Sequence, residues 1–339
     1  MLNMILDKLS RPVRNLRISV TDRCNFRCLY CMPADVVGRE YVFLAREQIL
    51  SFEEIVRLVK IFVQLGVTKV RLTGGEPLLR KDLEVLVEML SEIRDIKDLA
   101  LTTNGYLLQQ KARSLKEAGL KRLTVSLDTL DPEVFRKLAG RKAELEQVLD
   151  GISTAAEVGF APVKINAVIQ KGVNEQEVLN LAKYAKMHGY IIRFIEYMDV
   201  GNLNDWRMDQ VVSAKEIVGT IAAEMPLEPI AKQYKSEVAN RYRYLDGEGE
   251  IGVIASVTQP FCGDCTRARL SADGKIYTCL FASQGHDIKK LLRDGASDRK
   301  LQQVLSSIWA SRTDRYSEER TSNTTIQSHK KVEMYEIGG

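Results

Sequence analysis

No run in the sequence approaches the roughly 18 consecutive apolar residues that a membrane-crossing helix needs. The apolar start at Met4, Ile5 and Leu6 gives way at once to Asp7 and Lys8, too short for the core of a secretory signal. Aromatic residues make up only 7% and the basic residues form no concentrated stripe, which argues against a nucleic-acid binder. The net charge of +4 is too mild for such a coat, yet sufficient to meet one polyanionic small molecule. Histidine is scarce: His188, His286 and His329 are the only three in 339 residues. The expected compartment is the cytoplasm, where thiols stay reduced. A hydrophobic fraction of 45% suffices for one large domain with an annex, or for two domains.

Against that background the six cysteines need an explanation other than disulfides. They form two triplets: Cys24, Cys28 and Cys31 spaced C-x3-C-x2-C, then Cys262, Cys265 and Cys279 spaced C-x2-C-x13-C. Three cysteines this close together are poorly placed to pair with one another. Structural zinc takes four ligands, and each triplet is one short. His286 follows the second triplet closely, but no histidine serves the first. A cubane [4Fe–4S] cluster normally takes four thiolates, so three leave one iron free for a small molecule. The first triplet therefore reads as a cluster site. The second reads as a cluster site too, with zinc kept as its alternative.

The first two-thirds alternate between strand and helix patterns. Strands are expected at 16–20, 69–73, 99–102, 122–127, 163–168 and 191–196. The clearest helix opens at Ser51, with Glu54 completing a capping box, and stops near Gly66. Repeated βα units argue for a parallel sheet, barrel-like or doubly wound. Within the strands, Leu16, Ile18 and Val20 alternate with Arg17 and Ser19, and Val70 and Leu72 with Lys69, Arg71 and Thr73. Fully covered parallel strands are instead continuous apolar runs, so one face is expected to be wet. Arg17, Lys69, Arg71, Lys164 and Arg193 on that face would be costly to enclose without an anion.

Strand ends carry the distinctive groups, where active sites of parallel α/β folds gather: Gly74-Gly75-Glu76-Pro77, Thr102-Thr103-Asn104-Gly105, Ser126-Leu127-Asp128 and Glu196-Tyr197-Met198. With Tyr30 just before the third cysteine, the first triplet resembles the signature of the radical S-adenosylmethionine superfamily. That resemblance implies an α/β fold with an incomplete (β/α)6 TIM-like barrel. It also implies a [4Fe–4S] cluster whose open iron chelates S-adenosyl-L-methionine and releases a 5′-deoxyadenosyl radical. Tyr30, Gly75, Ser126 and Met198 would contact that cofactor, and Thr102 the substrate.

From about residue 212 the pattern changes to shorter strands, with Arg267-Ala268-Arg269 directly after Cys265 and a terminal Gly338-Gly339. This motif order resembles the GTP 3′,8-cyclase (MoaA) family of molybdenum-cofactor biosynthesis. The implied organisation is a radical barrel over 1–211, a C-terminal extension over 212–316 carrying a second [4Fe–4S] cluster, and a flexible tail over 317–339. Arg17, Arg71, Thr102, Lys164, Arg267, Ala268 and Arg269 would bind GTP, with the second cluster on the guanine and Gly338 and Gly339 assisting in the cavity. The resemblance further implies an external one-electron donor, a homodimer and a downstream MoaC-type enzyme, with neither nucleic acid nor membrane as partner. Another radical enzyme with an auxiliary cluster, acting on a peptide or sugar, is the second reading. A zinc-bearing binding module is the third.

Overall fold

The computed structural model describes residues 5–34, 41–140, 143–320 and 330–338. Six βα units open the fold. Their strands are β1 (Asn15–Ser19), β2 (Lys69–Thr73), β3 (Asp98–Thr103), β4 (Arg122–Ser126), β5 (Lys164–Ile169) and β6 (Ile191–Glu196). All six expected strands are present, each with ends within one residue or so of the expected ones. The helix after β1, Phe52–Gln64, begins as its sequence requires. Ser51 Oγ accepts from the Glu54 amide at 3.2 Å while the Glu54 carboxylate accepts from the Ser51 amide at 2.8 Å. It ends before Gly66, whose φ of 111° suits glycine.

Alternation sorts the two faces. In β5 and β6 every second residue is buried, and Leu16, Ile18, Val70 and Leu72 are 0–1% exposed. They pack beneath helices through residues such as Ile55, Leu58, Val59 and Phe62, in one continuous apolar core. Each such side chain contributes about 1.5–3 kcal/mol by leaving water. The opposite face is left to the polar set.

The C-terminal third does more than append an annex. It supplies β7 (Leu227–Ile230), β8 (Asn240–Tyr244), β9 (Glu250–Ile254), β10 (Arg267–Leu270), β11 (Lys275–Tyr277) and β12 (His286–Asp287). The sheet order is β12-β11-β10-β1-β2-β3-β4-β5-β6-β9-β8-β7. β10 pairs parallel to β1 and β9 parallel to β6, while the outer pairs are antiparallel. The six-unit barrel is thus extended at both edges by strands from late in the chain. The sheet remains open, and its polar face encloses a cavity.

Candidate active site: two cysteine tripods on one arginine-lined cavity

One cavity, open to solvent on one side, is lined by all six cysteines and by Arg17, Arg71, Arg193, Arg267 and Arg269. Both triplets therefore face one space, although the sequence sets them far apart.

The first tripod lies on the loop after β1. A turn places the amides of Cys31 and Met32 on the Cys28 carbonyl at 3.0 and 2.8 Å. The Cys24 sulfur accepts from the Phe26 amide at 3.4 Å and from Asn104 Nδ2 at 3.9 Å. Burial pushes the Cys24 thiol up to about 12 and also raises Cys28 and Cys31. Thiols this enclosed give up their protons to a metal rather than to water. Gly75 shows why the strand end needs glycine, for a Cβ there would stand 2.3 Å from the Arg23 carbonyl oxygen. The chain tucks so tightly because the Gly75 and Glu76 amides donate to Thr21 and Arg23 carbonyls at 2.8 and 2.7 Å. Tyr30 is tied down by donating to Asp128 Oδ2 at 2.8 Å. Ser126 and Met198 line the same cavity.

The arginines form a row. Arg269 on β10, Arg17 on β1 and Arg71 on β2 are register partners across three adjacent parallel strands. Arg71 Nη1 donates to Thr102 at 2.8 Å and Thr124 at 3.2 Å, and Arg193 Nη2 reaches the same Thr124 at 3.2 Å. Among the described residues, the buried Nε atoms of Arg17 and Arg193, and Oδ1 of Asn166, have no hydrogen-bond partner. Burial first, and neighbouring guanidinium groups second, lower Arg17 well below the ordinary arginine value and take Arg193 to about 9. Burial likewise brings Arg71 and Arg269 to about 10. Arginine holds its proton in proteins, so these pulls register an uncompensated positive field that a bound anion relieves.

Two of the expected cations stand apart from the row. Lys69 and Lys164 are the first residues of β2 and β5, at the end of the barrel away from the strand carboxyl ends, and neither lines the cavity. Lys69 Nζ sits 3.5 Å from the Tyr234 ring centroid. Lys164 is half-buried, and burial, then Arg193 and Arg122, lower it to about 8. Ala268 turns onto the core face opposite Leu16 and is fully buried, so it offers the cavity no side chain.

At the second tripod, burial would raise the Cys265 thiol, but Arg267 and Arg312 outweigh it and bring the group to about 6. Cys279, without that balance, is pushed up by burial to about 12. His286 is exposed on the edge strand β12 and does not line the cavity. The described end of the chain also reaches this site: Arg269 Nη1 donates to the Gly338 carbonyl, and Tyr335 and Ile337 are buried. Gly339 lies outside the described residues. Sequence reasoning singled out Asp128 only as part of a strand-end segment and passed over Arg312 and Asp314, and all three line the cavity. Neither Arg312 nor Asp314 belongs to a spaced motif, so only the fold reveals them.

Residues 18–185 match the Radical SAM superfamily, and residues 190–318 match Molybdenum Cofactor Synthesis C. The chain is 52% identical to a GTP 3′,8-cyclase of Acidothermus cellulolyticus, covering 99% of each chain. It is 47% identical to that of Staphylococcus carnosus, covering all of both. The chain belongs to the GTP 3′,8-cyclase family. Among solved structures, SuiB of Streptococcus suis bound to S-adenosylmethionine shares the fold with a TM-score of 0.62 at 16% identity, over 94% of this chain and 73% of that one. For a GTP 3′,8-cyclase family member, the radical superfamily implies one [4Fe–4S] cluster and S-adenosylmethionine. The first tripod fits that group, with three enclosed thiols on the wall of a cavity. Among the described residues, no helix is long and apolar enough to cross a membrane.

Proposed function

We propose that the chain converts GTP to (8S)-3′,8-cyclo-7,8-dihydroguanosine 5′-triphosphate, an early step of molybdenum-cofactor biosynthesis. The observation that carries this reading is the register row Arg269–Arg17–Arg71 facing a cavity shared with two cysteine tripods. Cations in register repel one another and are costly to bury, unless a polyanion such as a triphosphate occupies the space between them.

Cys24, Cys28 and Cys31 would hold the cluster that, with S-adenosylmethionine, would supply a 5′-deoxyadenosyl radical for hydrogen abstraction at ribose C3′ and closure of that carbon onto C8. In balance, GTP, S-adenosylmethionine, two electrons from an external one-electron donor and one proton yield the cyclised product, 5′-deoxyadenosine and methionine. The protein's own part is to hold and orient. Arg17, Arg71, Arg267 and Arg269 fork onto phosphate oxygens, with Lys164 adding charge from the lower end. Thr102 is oriented by Arg71 and faces the substrate. Tyr30, Gly75, Ser126 and Met198 bracket the S-adenosylmethionine.

Cys262, Cys265 and Cys279 would hold a second [4Fe–4S] cluster, which would supply a binding point for the guanine. The reading also carries a homodimer in the cytoplasm and a MoaC-type enzyme as consumer of the product. Anaerobically reconstituted protein given GTP, S-adenosylmethionine and a reductant should form cyclised nucleotide and 5′-deoxyadenosine in equal amounts. Cleavage of S-adenosylmethionine with no measurable GTP binding would hand the site to a peptide or sugar instead.

A further inference from the structure

We infer that Arg11 and Arg312, gathered on the buried carboxylate of Asp7, are positioning residues for the second cysteine tripod. This rests on the proposal that Cys262, Cys265 and Cys279 hold a cluster.

The start of the chain makes a tight turn around Asp7. Oδ1 accepts the amides of Leu9 and Arg11 at 2.9 and 2.8 Å, and Oδ2 accepts Arg11 Nε at 2.6 Å. Arg312, just past the helix Asp298–Ala310, reaches the same Oδ2 at 3.4 Å. Trp309 Nε1 closes the group by donating to the Arg11 carbonyl at 2.9 Å. The side chains of Arg11, Asp7 and Arg312 are only 2%, 0% and 1% exposed.

What these guanidiniums do with their remaining donors decides their role. Arg11 Nη1 donates to the Cys262 carbonyl at 2.7 Å and the Asp314 carbonyl at 2.8 Å. Arg312 Nη1 donates to the Cys265 carbonyl at 2.7 Å. Each cysteine of the C-x2-C pair thus has its carbonyl held by a different buried arginine. The segment between them is a single short turn, Cys262–Asp264, closed by the Cys265 amide on the Cys262 carbonyl at 3.2 Å. Fixing both carbonyls fixes the direction in which both sulfurs leave the backbone. The two cations also face two carboxylates, Asp7 and Asp314, the latter accepting from Arg312 Nε at 3.1 Å, so their hold on the carbonyls is directional as well as electrostatic. Groups that hold metal ligands in place govern how well the metal is kept.

The test compares Arg11→Lys, Arg312→Lys and Trp309→Phe as full-length, anaerobically reconstituted proteins. Lysine keeps a charge for Asp7 but lacks the fork that also reaches a carbonyl. Both lysine variants should fall from about eight irons per chain toward about four, with cluster retention weakened about 10- to 100-fold. The lost signal in electron paramagnetic resonance should be the one that GTP perturbs, while 5′-deoxyadenosine formation at the first cluster persists. Trp309→Phe, which leaves both arginine donors in place, should melt earlier yet keep its iron. A lysine variant that retains about eight irons and the GTP-sensitive signal overturns the inference, whatever its melting temperature. If Arg11→Lys does not fold, Arg312→Lys, which leaves Arg11 on Asp7, decides alone. Wild-type protein with only about four irons overturns the two-cluster reading, and this inference with it.

Discussion

Arg17 and Arg269 stand side by side as register partners on adjacent parallel strands, one from near the start of the chain and one from its last third. Like charges directly across strands destabilise a sheet, and both guanidiniums are drawn below the ordinary arginine value by burial and by their neighbours. On the function proposed above, a fold that tolerates this arrangement gives up stability for an anion site. Arg17→Ala should therefore separate the two properties. GTP affinity, measured by anaerobic calorimetry, should fall about 10- to 100-fold, the worth of one or two charge-assisted hydrogen bonds. The melting temperature of the GTP-free protein should stay level or rise. A marked loss of stability with unchanged affinity would place Arg17 in the scaffold rather than the site.

The two tripods should fail differently. Replacing Cys24, Cys28 or Cys31 by Ala should abolish S-adenosylmethionine cleavage, because the cluster that drives it loses a ligand. Replacing Cys262, Cys265 or Cys279 by Ala should leave 5′-deoxyadenosine formation measurable while cyclised nucleotide disappears. Chromatography of both products from one reaction separates the two cases. Undiminished cyclisation in the second set contradicts its assigned part.

Much of this was legible in the chain because its signals are local. Strand alternation such as Lys164-Ile165-Asn166-Ala167 has a two-residue period that survives any tertiary context, and it reappears in the burial of β5. The cysteine spacings are equally local. Pairing of β9 and β10 with opposite edges of the sheet is not, since nothing in either strand names its neighbour. Lys69 follows the same limit: its face was readable from alternation, but Tyr234, which captures it, arrives from the segment between β7 and β8. The Asp7–Arg11–Arg312 group is the extreme case, made of scattered residues that no motif connects.

Lys164 predicts a pH effect on binding. Burial, then Arg193 and Arg122, lower it to about 8 against an ordinary 10.5. Between those values the folded protein has released a proton that the unfolded chain retains, so Lys164's contribution to stability rises with pH across that window. A bound triphosphate favours the charged amine and lifts its pKa. GTP affinity should therefore decline as pH climbs above about 8, with proton uptake on binding. Lys164→Met should flatten that decline. Calorimetry in buffers of different ionisation enthalpy measures the uptake directly, and equal uptake in both proteins would exclude Lys164 as its source.

Asp199 anchors the described end of the chain. Its carboxylate accepts from Lys331 Nζ at 2.7 Å and is paired with Arg320 and Tyr316. Burial alone would raise its pKa, but Arg320 and Lys331 outweigh it and hold the group below the ordinary carboxylate range. A depressed acid contributes stability above its unfolded value of 3.8, and loses it as pH falls through the lower folded value. Asp199→Ala leaves two buried cations unpaired and should cost about 3–5 kcal/mol in denaturant unfolding at neutral pH. It should also open residues 330–338 to proteolysis before the barrel.

Gly338 ties the packing of the chain's described end to the substrate cavity proposed above. Its φ is 73°, and a Cβ there would stand 2.3 Å from Thr73 Cγ2, beside the carbonyl that Arg269 holds. Gly338→Ala combines an unfavourable backbone conformation with a collision against a β2 side chain, so this end of the chain must withdraw. Withdrawal uncovers Tyr335 and Ile337, which are 3% and 0% exposed, at about 1.5–3 kcal/mol each, so the melting temperature should fall by several degrees. Cyclisation should collapse while S-adenosylmethionine binding persists, because Arg269 has lost a partner inside the substrate cavity. Shortening Thr73 to Ser in the Gly338→Ala background removes the colliding methyl and should restore part of the activity. Failure of that second change to help, with the tail proved still seated by proteolysis, would trace the defect to the backbone conformation of residue 338 rather than to the clash.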